Sequence, residues 1–168
     1  MNELYILRHA KAVASEDGGP DRERKLTDKG RKAARNLGEW IAAHALRPDL
    51  VLCSTAARTR ETLELILSSF PNRPELLYEA ELYLADATRL LARLREVPKS
   101  VGRVMMVGHN PGLQELAAAL IDKADSPLAG KIALGLPTAN LACFEIAGEW
   151  AALRRRGATL VDLVNPKE

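Results

Sequence analysis

Near the amino terminus, an apolar run at residues 4–7 stops abruptly at Arg8 and His9. An apolar run this short, with charge at its boundary, is typical of a strand buried in an α/β sheet. Arg8 and His9 then lie at the carboxyl end of that strand, which is where open α/β sheets place their ligand sites. A guanidinium can hold phosphoryl oxygens and an imidazole nitrogen can attack phosphorus. The pair therefore suits phosphoryl chemistry. The alternative is an ordinary Arg-His dipeptide on the protein surface.

A second apolar run, residues 50–53, precedes Ser54 and a stretch of good helix formers. Ser54 is predicted to cap that helix at its amino end. Arg58 then lies in the first helical turn, where the helix dipole disfavours a cation unless an anion is near. The pattern predicts an anion beside Arg58. If Arg58 serves to bind phosphate, its removal is expected to leave thermal stability unchanged or slightly raised; if Arg58 is structural, the variant is expected to melt earlier and keep its catalytic rate.

A third strand-like run, residues 103–107, is followed by His109 after a single glycine. Asn110 is predicted to cap a helix whose first residue is Pro111. Free backbone N–H groups at such a helix end make an anion site beside His109. The three strand ends are therefore expected to bring these cationic and imidazole side chains into one crevice.

Five short segments of the chain resemble the histidine phosphatase superfamily, the phosphoglycerate-mutase-like group, and within it the SixA-type phosphohistidine phosphatases. The segments are residues 7–12, 21–30, 54–62, 107–112 and 136–139. Their order and spacing make the resemblance specific over nearly the whole chain. The chain departs from the family's Arg-His-Gly signature at Ala10, which would be strained if residue 10 needed a positive φ.

The resemblance implies a role for each matching residue. His9 would be the nucleophile that becomes phosphorylated, and the second histidine would bind the transferring group. Arg24 matches a further family arginine, and it is either a phosphate contact or a solvated arginine in a charged loop. Glu81 matches the general acid of larger members, and a plain surface carboxylate is the alternative. The predicted catalytic residues are His9, Arg8, Arg58, His109 and Glu81, and the predicted substrate-binding residues are Arg8, Arg24, Arg58 and His109.

The rest of the chain alternates between helical and strand-like patterns. Helices are predicted at residues 28–44, capped by Thr27, and at residues 87–95 and 111–121. Strands are predicted at residues 141–146, 150–154 and 159–164, and a loop at residues 15–25. This order predicts a three-layer α/β/α sandwich with a mostly parallel central sheet and an antiparallel C-terminal part. Residues 1–168 are expected to form a single domain.

Composition narrows the function classes. A net charge of +2 gives no reason to expect a nucleic-acid partner, and the basic cluster at residues 154–156 is interpreted as a solvated turn. The sequence has no apolar stretch of membrane-spanning length and no leader pattern, which predicts a cytoplasmic protein without a membrane partner. Cys53 and Cys143 lie in apolar runs and are predicted to be buried free thiols.

The sequence lacks the motifs that other classes of phosphate-handling protein require. The sequence has no Gly-rich nucleotide loop and no clustered zinc ligands, so neither a cofactor nor a metal is expected. A cysteine-dependent phosphatase needs five residues between its cysteine and arginine, whereas Cys53 and Arg58 are separated by four. Cys53 is therefore interpreted as a core residue.

The substrate remains open between three hypotheses. A chain of 168 residues has little room for the insertions that close over small metabolites in larger relatives. An open site suits phosphohistidine on a protein, which is the leading hypothesis. The alternatives are a phosphatase of small phosphate monoesters and a non-catalytic phospho-binding module of the same fold.

Overall fold

A computed structural model describes residues 1–167 of the chain; Glu168, the last residue of the expected domain, lies outside the described residues. The strands are β1 (Asn2–Arg8), β2 (Leu50–Ser54), β3 (Glu75–Glu79), β4 (Arg103–Gly108), β5 (Leu141–Ile146) and β6 (Thr159–Val164). The helices are α1 (Ser15–Gly18), α2 (Asp28–Ala43), α3 (Ala57–Ile66), α4 (Ala87–Arg95), α5 (Gly112–Leu120) and α6 (Pro127–Leu134).

All six strands form one sheet in the order β3-β2-β4-β1-β5-β6. The pairs β3–β2, β2–β4 and β4–β1 are parallel, whereas β5 pairs antiparallel with both β1 and β6. The carboxyl ends of β2, β4 and β1 therefore lie side by side at one edge. The amino end of β5 meets them there because its direction is reversed.

Helices cover both faces of the sheet because the central strands alternate their buried side chains between two hydrophobic clusters. In β1, Leu4 and Ile6 face the cluster that includes α4, α5 and α6, while Tyr5 and Leu7 face the cluster that includes α2 and α3. The predicted three-layer sandwich, with its mostly parallel sheet and antiparallel C-terminal part, is confirmed.

One predicted strand is wrong. Residues 150–154 contain the 3₁₀ helix Trp150–Ala152 instead of a strand. Trp150 and Leu153 are both buried while the two alanines between them are exposed, which is a three-residue spacing and not strand alternation. The indole Nε1 of Trp150 donates to the carbonyl of Val101 at 2.7 Å, which fixes this turn against the core.

The predicted loop at residues 15–25 is correct only in part. It contains the four-residue helix α1 and the 3₁₀ helix Asp21–Glu23. The predicted helix at residues 28–44 is α2, and the Thr27 side chain accepts from the Gly30 N–H as expected of a cap. Helix α6 was not predicted from the sequence.

Several smaller predictions are confirmed. Cys53 and Cys143 are buried free thiols, and burial raises the pKa of each to about 12. Residues 154–156 are exposed, and the chain turns at 155 and 156. Ala10 is fully buried and does not have a positive φ, so alanine fits there without strain. Within residues 1–167, none of the helices has the length and apolar character needed to cross a membrane.

Candidate active site

A cavity of about 360 Å³ opens at the edge where β1, β2 and β4 end. It lies at the point where the sheet changes from parallel to antiparallel order. Its lining includes four cationic side chains, two histidines and a single carboxylate. The lining residues are Arg8, His9, Lys11, Ala12, Asp21, Arg24, Arg58, Leu84, His109, Asn110 and Thr138.

His9 lies directly after β1 and is 8% exposed. Its Nδ1 is 2.7 Å from the carbonyl oxygen of Ala10, and since a carbonyl only accepts, Nδ1 carries the proton. The Nε2 atom then holds a free lone pair. Burial, together with the nearby Arg58 and Arg8 charges, lowers the pKa of His9 to about 4. The imidazole is therefore neutral near pH 7, which is the form a nucleophile needs.

His109 follows β4 and faces His9, with the ring centroids 5.4 Å apart. Its Nε2 is 2.7 Å from the hydroxyl oxygen of Ser54, the last residue of β2. Burial lowers the pKa of His109 to about 3, with Arg58 adding to the effect. When the neutral ring accepts from Ser54 at Nε2, its buried Nδ1 carries a proton that has no partner in the described structure. In this tautomer, His109 has a free donor at Nδ1.

Both predicted helix caps near this site are wrong. Helix α3 begins at Ala57 after an Ala56 cap, and Ser54 instead contacts His109 and the Ala56 N–H. Helix α5 begins at Gly112, and the Asn110 side chain donates to the carbonyl of Leu136 at 2.8 Å. In each case the polar side chain is used to hold the site together, so the helix begins without a side-chain cap.

Arg58 is 2% exposed and lies in the first turn of α3, as predicted. The anion beside it is Asp21. Arg58 donates to the Asp21 carbonyl at 2.8 Å and to its carboxylate at 3.1 Å. Tyr83, Arg58 and Arg24 all donate to the Asp21 carboxylate, and these bonds lower its pKa to about 2.

Arg8 and Arg24 are held by backbone carbonyls. Arg8 donates from Nη1 to Leu136 at 3.1 Å, and Arg24 donates from Nη1 to Val13 at 2.7 Å. Arg24 also pairs with Asp21 at 3.0 Å, so it lines the cavity as a braced side chain and not as a freely solvated one. The predicted phosphate contact of Arg24 stays a prediction.

Three buried nitrogens at the cavity have no hydrogen-bond partner in the described structure. They are Arg8 Nε, Arg58 Nε and His109 Nδ1. Leaving a buried donor unpaired costs about 1–3 kcal/mol. Together with the cations of the lining, these nitrogens make the cavity chemically suited to an anion.

Residues 136–140 hold the end of β1 in place. The Ala139 N–H donates to the carbonyls of both Arg8 (3.1 Å) and His9 (3.0 Å), and Ala139 itself has a φ of +63°. The Ala10 N–H donates to the Thr62 hydroxyl at 3.0 Å. The backbone on both sides of His9 is thus fixed by other segments of the chain.

Glu81 is not brought to this cavity. It is exposed on the 3₁₀ helix Ala80–Leu82 and does not line the site. Four contributors were missed from the sequence: Asp21, Tyr83, Leu84 and the Ser54 contact to His109. The one available signal was the three-residue spacing of Asp21 and Arg24, which suits a local ion pair.

We expect the free energy of unfolding to fall as the pH drops from about 6.5 to 4. In this range the unfolded chain protonates both site histidines at their ordinary pKa of 6.5, whereas folded His9 and His109 stay neutral down to about 4 and 3. Their contribution is complete above pH 6.5. Each pKa unit corresponds to about 1.4 kcal/mol, so the loss by pH 4 is a few kcal/mol.

Denaturant unfolding at several pH values, without phosphate, measures this slope. His109→Asn is expected to make the slope shallower. An equal slope in the wild-type protein and in this variant would contradict the assignment.

Comparison with known proteins shows what this chain is similar to. Residues 4–97 match the model of the histidine phosphatase superfamily, branch 1. An uncharacterized protein of Mycobacterium tuberculosis is 34% identical over 163 residues, which cover 96% of this chain and 100% of that protein.

Two solved structures are similar over almost their whole length. A candidate phosphohistidine phosphatase SixA from Nakamurella multipartitia has a TM-score of 0.85 and 29% identity, covering 99% of this chain and 97% of that chain. A candidate phosphohistidine phosphatase SixA from Agrobacterium tumefaciens has a TM-score of 0.80 and 31% identity, covering 97% of each chain.

Proposed function

The chain belongs to the histidine phosphatase superfamily, and from that membership we propose that it is a phosphatase that works through a phosphohistidine on His9. The observation that carries the proposal is the neutral, buried His9 surrounded by three unpaired nitrogens of Arg8, Arg58 and His109. A non-catalytic binding module would need the cations but not a nucleophile with a free Nε2 lone pair.

In the first step, His9 Nε2 attacks phosphorus in line with the leaving group. A bond forms between Nε2 and phosphorus while the bond to the leaving group breaks. Arg8, Arg58 and His109 donate to the three remaining oxygens, which stabilises their charge in the transition state. The Ala10 carbonyl holds the Nδ1 proton throughout and stabilises the positive charge that the phosphorylated ring acquires.

In the second step, water attacks the phosphorus atom carried by His9. A bond forms between the water oxygen and phosphorus as the bond between Nε2 and phosphorus breaks. One proton of the water passes to a phosphoryl oxygen, and inorganic phosphate leaves. His9 returns to its neutral state with the lone pair restored on Nε2.

The cavity favours a leaving group that needs no proton from the enzyme. Asp21 is its one carboxyl group among the described residues, and the bonds from Tyr83, Arg58 and Arg24 keep the Asp21 pKa near 2. His109 is also a neutral imidazole near pH 7, and not the imidazolium that would be a strong acid. An alkoxide requires a general acid, whereas the imidazole of a phosphohistidine can leave already protonated. We therefore propose phosphohistidine on a protein as the substrate, with little dependence on Glu81.

Small phosphate esters are the second candidate, and the cations that line the cavity would also hold their phosphate. The test compares a phosphohistidine protein with glycerol phosphate, an alkyl ester. General acids contribute on the order of 10²–10⁴-fold, so we expect a preference of that size for the phosphohistidine protein. Equal rates would favour the monoester phosphatase. Tight phosphate binding without turnover of either compound would favour the binding module.

Catalysis is expected to continue after exhaustive chelation. The proposed site neutralises phosphoryl charge with arginines, and within residues 1–167 there is no group of three His, Cys, Asp or Glu side chains that could hold a metal ion. The assay is turnover of the phosphohistidine protein before and after chelation. Loss of activity that a divalent metal restores would contradict metal independence.

A further inference from the structure

Leu84 lines the active-site cavity from the link between the 3₁₀ helix Ala80–Leu82 and α4. Its side chain is 55% exposed, and its φ is +52°. The left-handed region is unfavourable for a branched side chain. An exposed leucine gains little from burial. Stability therefore gives no reason for a leucine at this position.

The neighbouring residues hold Leu84 in this conformation. The Tyr83 ring packs edge-on against His109 at 5.4 Å, and its hydroxyl donates to Asp21. The Ala85 carbonyl lies so close to Gly112 that an added Cβ there would be 2.0 Å from its oxygen. Asp86 then caps α4. An unfavourable backbone conformation fixed from both sides at a cavity rim is typical of a functional position.

Leu84 also differs in chemistry from the rest of the lining. Apart from Ala12, every other lining residue is polar or charged. In the proposed function the phosphoryl group binds between His9, Arg8, Arg58 and His109, so the leaving group extends away from them. Among the lining residues, Leu84 has the one large apolar side chain that the leaving group can contact.

We propose that Leu84 is a specificity-determining residue that packs against a flat ring in the leaving group, the imidazole of a phosphohistidine. The inference rests on the proposed function, since it presumes that a phosphoryl group binds at His9. Covering one face of a ring with a leucine side chain removes apolar surface from water, and a side chain of this size changes selectivity about tenfold or more. Substrates without a ring gain nothing from Leu84.

The kinetic test compares phosphoimidazole with acetyl phosphate. Both leaving groups depart without a general acid, but only the first has a ring. We expect Leu84→Ala to reduce the ratio of their kcat/KM values about tenfold. Leu134→Ala is the matched control, because Leu134 is a 91% exposed leucine on α6 that does not line this cavity. An unchanged ratio in Leu84→Ala, or an equal loss on both substrates, would overturn the inference.

A binding test separates this inference from the proposed function. Phenylphosphonate and methylphosphonate both carry the anion, and only the former carries a ring. By calorimetry, the ratio of the affinities for phenylphosphonate and methylphosphonate should be about tenfold lower in Leu84→Ala than in the wild-type protein. This result is expected whether or not the protein turns over substrate. A preserved preference overturns the role of Leu84. Failure of the wild-type protein to hydrolyse phosphoimidazole, with the binding preference intact, overturns the proposed function alone.

Leu84→Asn adds a stability readout. Asparagine adopts the left-handed region more easily than leucine, so this variant should melt about 2–4 °C higher while losing the ring preference. A higher melting temperature with the preference retained would contradict the proposal that leucine is kept there for substrate selection.

Discussion

Replacing His9 with alanine is expected to abolish phosphatase activity, with a loss on the order of 10⁴-fold or more. The variant has no atom to accept the phosphoryl group, and the arginines alone do not offer another route. The fold should persist, because His9 lies at a strand end outside the hydrophobic clusters. The assay is turnover per folded molecule, with the circular dichroism spectrum measured on the same preparation.

The matched control for this experiment is His44→Ala. His44 is an exposed histidine whose Nδ1 contacts the Trp40 carbonyl, and it lies away from the cavity. Rapid mixing of wild-type protein with labelled phosphoimidazole, followed by an acid-free quench, should leave label on His9 that survives base. Wild-type rates in His9→Ala, or label on another residue, would show that His9 is not the nucleophile.

Arg58→Ala is expected to lower turnover about 10³-fold and also to reduce stability. The turnover loss reflects the missing charge on the phosphoryl oxygens. The sequence alone predicted unchanged or slightly raised stability, from the helix dipole. The structure reverses that sign, because the buried guanidinium holds both the carbonyl and the carboxylate of Asp21. Hydrogen bonds to charged groups contribute about 1.5–3 kcal/mol, so the variant should melt earlier.

Two further variants separate the catalytic from the structural effect of Arg58. Arg31 forms an ion pair with Glu61, with 2.6 Å between Nε and Oε2, and neither residue lines the active site. Arg31→Ala should therefore lower stability and leave turnover unchanged. Arg58→Lys keeps the charge but not the forked geometry, and it should recover only part of the activity. Full turnover in Arg58→Ala would mean that the residue serves only to hold Asp21.

The predictable parts of this protein are those set by local pattern. Helix α4 and strands β5 and β6 have the predicted bounds because the apolar spacing and flanking residues of each lie within a few positions. The 3₁₀ helix Trp150–Ala152 was mistaken for a strand, since Val101, which holds its tryptophan, is 49 residues away in sequence.

The active-site residues also divide into those that local sequence predicts and those that depend on contacts distant in sequence. Arg8, His9 and His109 lie at strand ends, as predicted, because Arg8 is the last residue of β1 and the two histidines directly follow β1 and β4. The role of Asp21 could not be read in the same way, because its partners Arg58 and Tyr83 are 37 and 62 residues distant. Ser54 and Asn110 were misassigned because a helix cap and a tertiary hydrogen bond use the same side-chain types.

The parallel pairing of β1 with β4 also sets when the protein can become active during folding. Glu3 pairs with Arg103 and Arg8 with Gly108, so the strands that carry the two histidines come from opposite halves of the chain. Closing a loop of about 100 residues has a high entropic cost, and contacts of such long range form slowly. Helices can form earlier without assembling any of the site. Recovery of activity in a refolding experiment should therefore lag behind the recovery of helical signal.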